Sequence, residues 1–176
     1  MFKIQKNTKI YVLCEPKYAT GGTEAIHQLV DKLRCLGHEA YVFYHQNVEN
    51  PKPSVYKCYD TQHVFSIEDD PKNILIVPEG CIGEINRYKN VQKSIWWLSV
   101  NNAQKSIGVL GNKVNKKFSG LNLRKIPGLY RIYSWIYGAG RILFDFKDIK
   151  NKKVIHLAQS RYAETYLNKM GAGEVY

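Results

Sequence analysis

The pair Gly21-Gly22, lying between a short apolar run and an amphipathic stretch, is the feature of this sequence with the clearest chemical potential. Glycines immediately before a helix let the backbone approach a ligand closely, and the first N–H groups of the helix stay unpaired at the positive end of its dipole. Such a place suits a phosphate or the hydroxyls of a sugar. The same two glycines can also do no more than turn the chain tightly. The loop before them contains Glu15, and other candidate loops offer His45, Glu79-Gly80, Asn101-Asn102 and Gln159-Ser160. Neither G-x-G-x-x-G nor a Walker-type G-x-x-x-x-G-K-[ST] run occurs, which argues against a dehydrogenase and against a P-loop phosphotransferase.

These loops are candidates because of the elements that hold them. Lys9 to Cys14 is a β-branched and aromatic run followed by turn residues, the mark of a buried strand. From Thr23 the period changes, with Ile26, Leu29, Val30, Leu33 and Leu36 on one helical face. Thr20 or Thr23 can cap the start, Glu24 suits the positive helix end, and Gly37 suits the stop. Ala40 to Tyr44 then completes a βαβ unit, whose strands should be parallel and joined right-handedly. Further buried strands are expected at Asn73 to Pro78, Ser94 to Val100 and Lys153 to Ala158, with short helices at about Cys81 to Tyr88 and Arg161 to Met170. Near-continuous apolar strands require cover on both faces, so the expected fold is α/β: a doubly wound, mostly parallel, Rossmann-like sheet with helices on both faces. Residues 46 to 66 read as loop with one or two minor strands, and Gly171 to Tyr176 as a helix stop followed by the first residues of another strand.

The chain has 176 residues with 44% hydrophobic and 23% charged, enough apolar content for one globular domain and too much for disorder. Its 26 Lys and Arg against 15 Asp and Glu leave +11, and the excess is segregated. No acidic residue falls between Glu84 and Asp145, where eleven Lys and Arg lie, so that third of the chain calls for an anionic partner. Residues 101 to 150 are longer than a βα connection needs and mix Lys116, Lys117, Arg124, Lys125, Arg131 and Arg141 with Trp135 and several tyrosines. An interfacial surface for anionic lipid headgroups is one reading, and a solvated basic face over an aromatic core stripe is the other. Nucleic acid is not expected, since no recognised binding motif accompanies the charge. Cys14, Cys35, Cys58 and Cys81 lie more than twenty residues apart, in no metal-site spacing, and are expected as free thiols filling the core. The N-terminus has neither the apolar core nor the cleavage site of a secretory signal, and no apolar run is long enough to span a bilayer, so a cytoplasmic protein is expected.

Taken in order, strand one, Gly21-Gly22-Thr23-Glu24, a helix with His27-Gln28-Leu29, and Leu36-Gly37-His38-Glu39-Ala40 leading into strand two resemble the opening of GT-B glycosyltransferases, particularly the large retaining family that uses nucleotide sugars. The run Ile95-Trp96-Trp97-Leu98-Ser99-Val100-Asn101-Asn102 is similar to a strand of bacterial members that build surface polysaccharide. Ile155-His156-Leu157-Ala158-Gln159-Ser160-Arg161-Tyr162 is similar to the family's last N-terminal strand, after which a Ser opens a helix.

The resemblance implies the acceptor-side domain of a two-domain enzyme. Its glycine loop, here Gly21, Gly22 and Thr23, would face the donor's diphosphate, and a C-terminal donor-binding domain absent from this sequence would hold the paired-glutamate motif and the basic phosphate-binding residues. No catalytic residue is thereby assigned, and the 176-residue chain alone is expected to be inactive. The implied partners are a nucleotide-sugar co-substrate and a saccharide or lipid-linked acceptor, at the inner face of the membrane if the basic surface meets lipid. No cofactor or metal is implied, because family members neutralise the leaving diphosphate with helix ends and basic side chains. Glu15, Glu79, Asn101 and Asn102 are acceptor-binding candidates, as carboxylates and amides able to orient sugar hydroxyls, against the plainer reading of solvated loop acids and turn asparagines. His27 is expected to be structural, His45 has no evident partner, and Ser160 is expected to cap its helix. A non-catalytic remnant or accessory module that binds membrane or glycan through the basic surface is the alternative.

Overall fold

The computed structural model describes residues 1–101 and 153–176. The asparagine Asn102 and the basic and aromatic candidates Lys116, Lys117, Arg124, Lys125, Arg131, Trp135 and Arg141 lie outside the described residues.

Seven strands form one sheet: β1 (Lys9–Cys14), β2 (Glu39–Tyr44), β3 (His63–Val64), β4 (Ile74–Pro78), β5 (Gln92–Trp97), β6 (Val154–Ala158) and β7 (Glu174–Val175). The spatial order is β3-β2-β1-β4-β5-β6-β7, and every neighbouring pair is parallel. Helix α1 (Gly21–Cys35) connects β1 to β2, and α2 (Arg161–Met170) connects β6 to β7. The order runs one way from β1 and the other way from β4, so right-handed crossovers place their helices on opposite faces. Alternation along the strands confirms this. Ile10, Val12, Cys14, Val42, Tyr44, Ile74 and Ile76 pack with Ile26 and Val30 of α1. Tyr11, Leu13, Phe43, Leu75, Val77, Ile95 and Trp97 pack instead with Ile82 and Ile85, and with Ala163 and Leu167 of α2. The fold is the expected doubly wound α/β, Rossmann-like sheet. Among the described residues no helix is long and apolar enough to cross a membrane.

Both helices carry the ends that their sequences announce. Ser160 caps α2, its hydroxyl accepting the N–H of Ala163 at 3.3 Å. Gly37 and Gly171 follow α1 and α2 at φ +85° and +68°, where a side chain would be strained. In each case the next N–H reaches back to the last turn, His38 to the carbonyl of Leu33 and Ala172 to that of Leu167.

Several expectations need correction. The helix begins at Gly21, not Thr23, because Thr20 is the N-cap. Leu36 lies beyond the last turn and is 75% exposed. Cys35 and Cys58 are exposed and only Cys14 and Cys81 are buried, although all four are free. Strand β5 ends at Trp97, since the N–H of Leu98 leaves the ladder for the side chain of Glu79, and a helical turn opens at Val100. The expected helix after β4 is a 3-10 segment, Glu79–Arg87, kinked at Cys81. Gly80 and Gly83 lower its helix propensity, and burial of Ile82 and Ile85 holds it in place.

The segment 46–62 is a strap across the start of α1. Lys17 N–H donates to the Pro51 carbonyl at 2.8 Å, Lys52 Nζ to the Tyr59 carbonyl at 2.6 Å, and Tyr59 Oη to Glu24 Oε1 at 2.8 Å. His27 is the inner anchor. It is fully buried, with Nε2 3.2 Å from Tyr44 Oη, Nδ1 3.2 Å from Thr61 Oγ1 and its ring 4.8 Å from that of Tyr56. Burial, helped by the positive charge of Lys52, pushes the imidazole down to about 4. The unfolded chain takes up this proton near the ordinary value of about 6.5, so stability falls as pH drops from there towards 4. Between pH 7 and pH 5 the loss assigned to His27 is on the order of 2 kcal/mol. His27→Gln should remove that component, measured as a smaller pH dependence of the urea midpoint than in the parent chain.

Candidate functional site

The cleft of a doubly wound sheet opens beyond the carboxyl ends of the strands, where the strand order reverses. Here that point lies between β1 and β4, so the loops beginning at Glu15 and Glu79 are its two walls. A shallow, open cavity of about 360 Å³ lies on the loop that follows β1, lined by Glu15, Tyr18, Thr20 and Thr23.

The floor is the first turn of α1. Thr20 and Thr23 form a capping box: the Thr20 side chain accepts the N–H of Thr23 at 3.3 Å, and the Thr23 hydroxyl accepts that of Thr20 at 2.9 Å. Thr23 Oγ1 also donates within the loop, where the carbonyl of Tyr18 lies at 2.9 Å and that of Thr20 at 3.0 Å. Tyr56, buried in the strap, brings its phenol to 3.0 Å from Thr23 Oγ1 and donates to the Thr20 carbonyl at 2.9 Å. The Thr23 hydroxyl is thus occupied in holding the loop. The N–H groups of Gly21 and Gly22 are left without a hydrogen-bond partner among the described residues, as the first helical positions are unless a ligand or water meets them.

The space around the glycines is open. A methyl group on Gly21 would touch nothing within 4 Å, and one on Gly22 would meet Leu98 Cδ1 at 3.7 Å and Thr20 Oγ1 at 3.9 Å, ordinary contacts. Neither glycine has a positive φ. Nothing in the backbone or in the packing among the described residues therefore demands glycine at these positions.

Glu15 is half-buried, and its Oε1 accepts from the Sγ–H of Cys81 at 3.5 Å. Glu79 is buried instead, and its Oε2 accepts the N–H of Leu98 at 2.9 Å, which ties the end of β4 to the end of β5. The two glutamates that looked alike in sequence therefore differ: Glu15 lines the cavity, and Glu79 braces its neighbouring wall. Burial pushes the Cys14 thiol up to about 12, and burial next to the charge of Glu15 pushes that of Cys81 higher, so neither is a thiolate nucleophile near neutrality. Asn101 is exposed, in the turn that opens at Val100, and does not line the cavity.

Tyr18 and Tyr56 were not singled out from the sequence. An aromatic residue in a turn-rich loop after a strand was the available signal for Tyr18; Tyr56 meets Thr23 from 33 residues away and leaves no local trace. Compared with protein-family models, curated proteins and solved structures, the chain matches none.

Two outcomes follow. Gly22→Ala should leave stability unchanged or raise it by up to about 1 kcal/mol, because the methyl group has room and alanine favours the helix; urea denaturation checks this. Glu79→Ala should cost about 0.5–1.5 kcal/mol by removing the nearer of the two acceptors of the Leu98 N–H, which is left with the Trp96 carbonyl at 3.2 Å, and Glu79→Gln, which keeps an acceptor oxygen, should recover most of it. Faster hydrogen exchange at Leu98 in Glu79→Ala alone would locate the loss.

Proposed function

We propose that this chain is the acceptor-side domain of a GT-B-type, nucleotide-sugar-dependent glycosyltransferase that extends a saccharide or lipid-linked acceptor in cell-envelope glycan synthesis. The observation that carries the reading is the place of Gly21-Gly22: directly beyond the carboxyl end of β1, at the point where strand order reverses, with two unpartnered N–H groups beside an open cavity. In that position glycines serve a ligand better than they serve the fold, which has room for a side chain there. The ordered likeness of the first βαβ unit, the Trp96-Trp97-Leu98-Ser99 run and the Ser160-capped helix to such enzymes supports the same reading. On this reading donor contacts come largely from a second domain, so purified alone the chain should not turn over a sugar nucleotide.

The segregated charge of the segment between Glu84 and Asp145 favours a second reading, an accessory module held at an anionic membrane. The two part experimentally. Deleting the gene from its host should remove or shorten a surface glycan, the parent gene should restore it, and Gly22→Val should fail to restore it while accumulating as folded protein. A glycan profile unaltered by the deletion would sink the transferase reading. Co-sedimentation with anionic vesicles at low salt, lost at high salt, would favour the membrane module in that event.

A further inference from the structure

We propose that the strap of residues 46–62 is an acid-released clamp: protonation of His27 lifts it from α1 and frees the loop between β1 and α1 while the sheet stays folded. The strap is suited to opening as a unit, because Pro51 and Tyr56 are its only buried residues. Apolar burial therefore holds it weakly, and its grip on α1 is polar. Asp60 N–H donates to Asp31 Oδ1 at 2.8 Å, the Asp60 carboxylate pairs with Arg34 at 3.6 Å, and Gln28 Nε2 donates to Tyr59 Oη at 3.0 Å. Asp60 is exposed and Tyr59 half-exposed, so water can replace these bonds at small net cost. The strap also grips the loop after β1, through the Pro51 carbonyl that accepts from Lys17 and through Tyr56 Oη, which donates to the Thr20 carbonyl. What lifts the strap loosens that loop.

His27 is where this opening meets pH. Thr61 of the strap holds one ring nitrogen, Tyr44 of β2 holds the other, and Tyr56 of the strap lies against the ring. Both hydroxyl oxygens are able to accept from an imidazolium, so hydrogen bonding does not forbid the charge; burial without a counter-ion does. The ionisable groups around the ring are Tyr44 with its register partner Cys14 on β1, Tyr56 and Lys52 in the strap, His63 on β3, whose ring meets that of Tyr44 at 5.7 Å, and Glu24 and Asp31 one helical turn away on α1. The two carboxylates accept from Tyr59 Oη and Asp60 N–H, and the charge that acts on the ring is the positive one of Lys52. Opening removes Thr61, Tyr56 and Lys52 together and admits water. The covered ring takes its proton at about 4 and a hydrated one near 6.5, so the open form binds more protons and is favoured as pH falls from 6.5 towards 4. Full hydration of the ring on opening raises the opening constant about twentyfold between pH 7 and pH 5.

Amide hydrogen exchange of the 15N-labelled chain between pH 7 and pH 5, with each rate divided by its intrinsic value at that pH, tests the device. Lys17 and Tyr56 report on the clamp, since their N–H groups donate to the carbonyls of Pro51 at 2.8 Å and Pro53 at 3.0 Å, and the paired amides of β1 and β4 report on the sheet. The clamp amides should show larger opening constants than the sheet amides throughout, rising by about tenfold to twentyfold from pH 7 to pH 5. In His27→Gln, which has no proton to take up here, the rise should stay below about threefold. Equal opening constants in clamp and sheet would overturn the proposal, because the strap would then open only with the whole fold. A rise that His27→Gln leaves intact would overturn it too. The His27 Cε1–H shift in the parent chain gives a check that needs no variant to fold: a titration midpoint below about 5 is expected, and one near the ordinary value of about 6.5 would sink the idea.

Discussion

Right-handed crossover between parallel strands is the constraint on which the rest of this molecule depends. Once β1 pairs with β2 on one side and with β4 on the other, the connections starting from those strands must wind in opposite directions. One helix is thereby sent to each face, both faces must be apolar, and the loops leaving β1 and β4 diverge. The gap between them is a consequence of handedness and pairing alone. Glu15 and Glu79 are the first residues after the two strands that flank it.

Those two carboxylates show how small differences in placement change a side chain's surroundings. Glu79 is the first residue after β4, turned inwards, where an unpaired carboxylate would be costly; the Leu98 N–H meets that need, and β5 ends where it does as a result. Glu15 follows β1 and lines the cavity, and among the described residues its carboxylate accepts from the Cys81 thiol. The two edges of the sheet obey a different requirement. One of them is formed by β3, a strand of two residues that offers little backbone for unwanted pairing.

The loop between β1 and α1 is stiff for a reason that lies elsewhere in the chain. A capping box supports it from below, and Tyr56 and Pro51 of the strap hold it from the side. The strap in turn rests on His27, a neutral buried imidazole between two hydroxyls. A loop held this way would lose little conformational entropy on meeting a ligand.

Much of the fold was legible in the residues themselves. The period of 3.6 across Ile26, Leu29, Val30 and Leu33, the continuous apolar runs of β1, β2, β4 and β6, the Ser160 cap and the glycines at 37 and 171 all express backbone geometry acting over four or five residues, and local sequence suffices for that. The loop holding Gly21-Gly22 was legible too, as the turn between β1 and α1. The sequence could not show that Thr23 meets Tyr56, that His27 joins Tyr44 to Thr61, that Glu79 ends β5, or that Tyr18 stands beside Glu15 over one cavity. Most of these contacts join elements brought together only when the crossovers close, and the last needs the loop fold that the strap imposes. Periodicity determines what each segment becomes; handedness and long-range packing decide which segments meet.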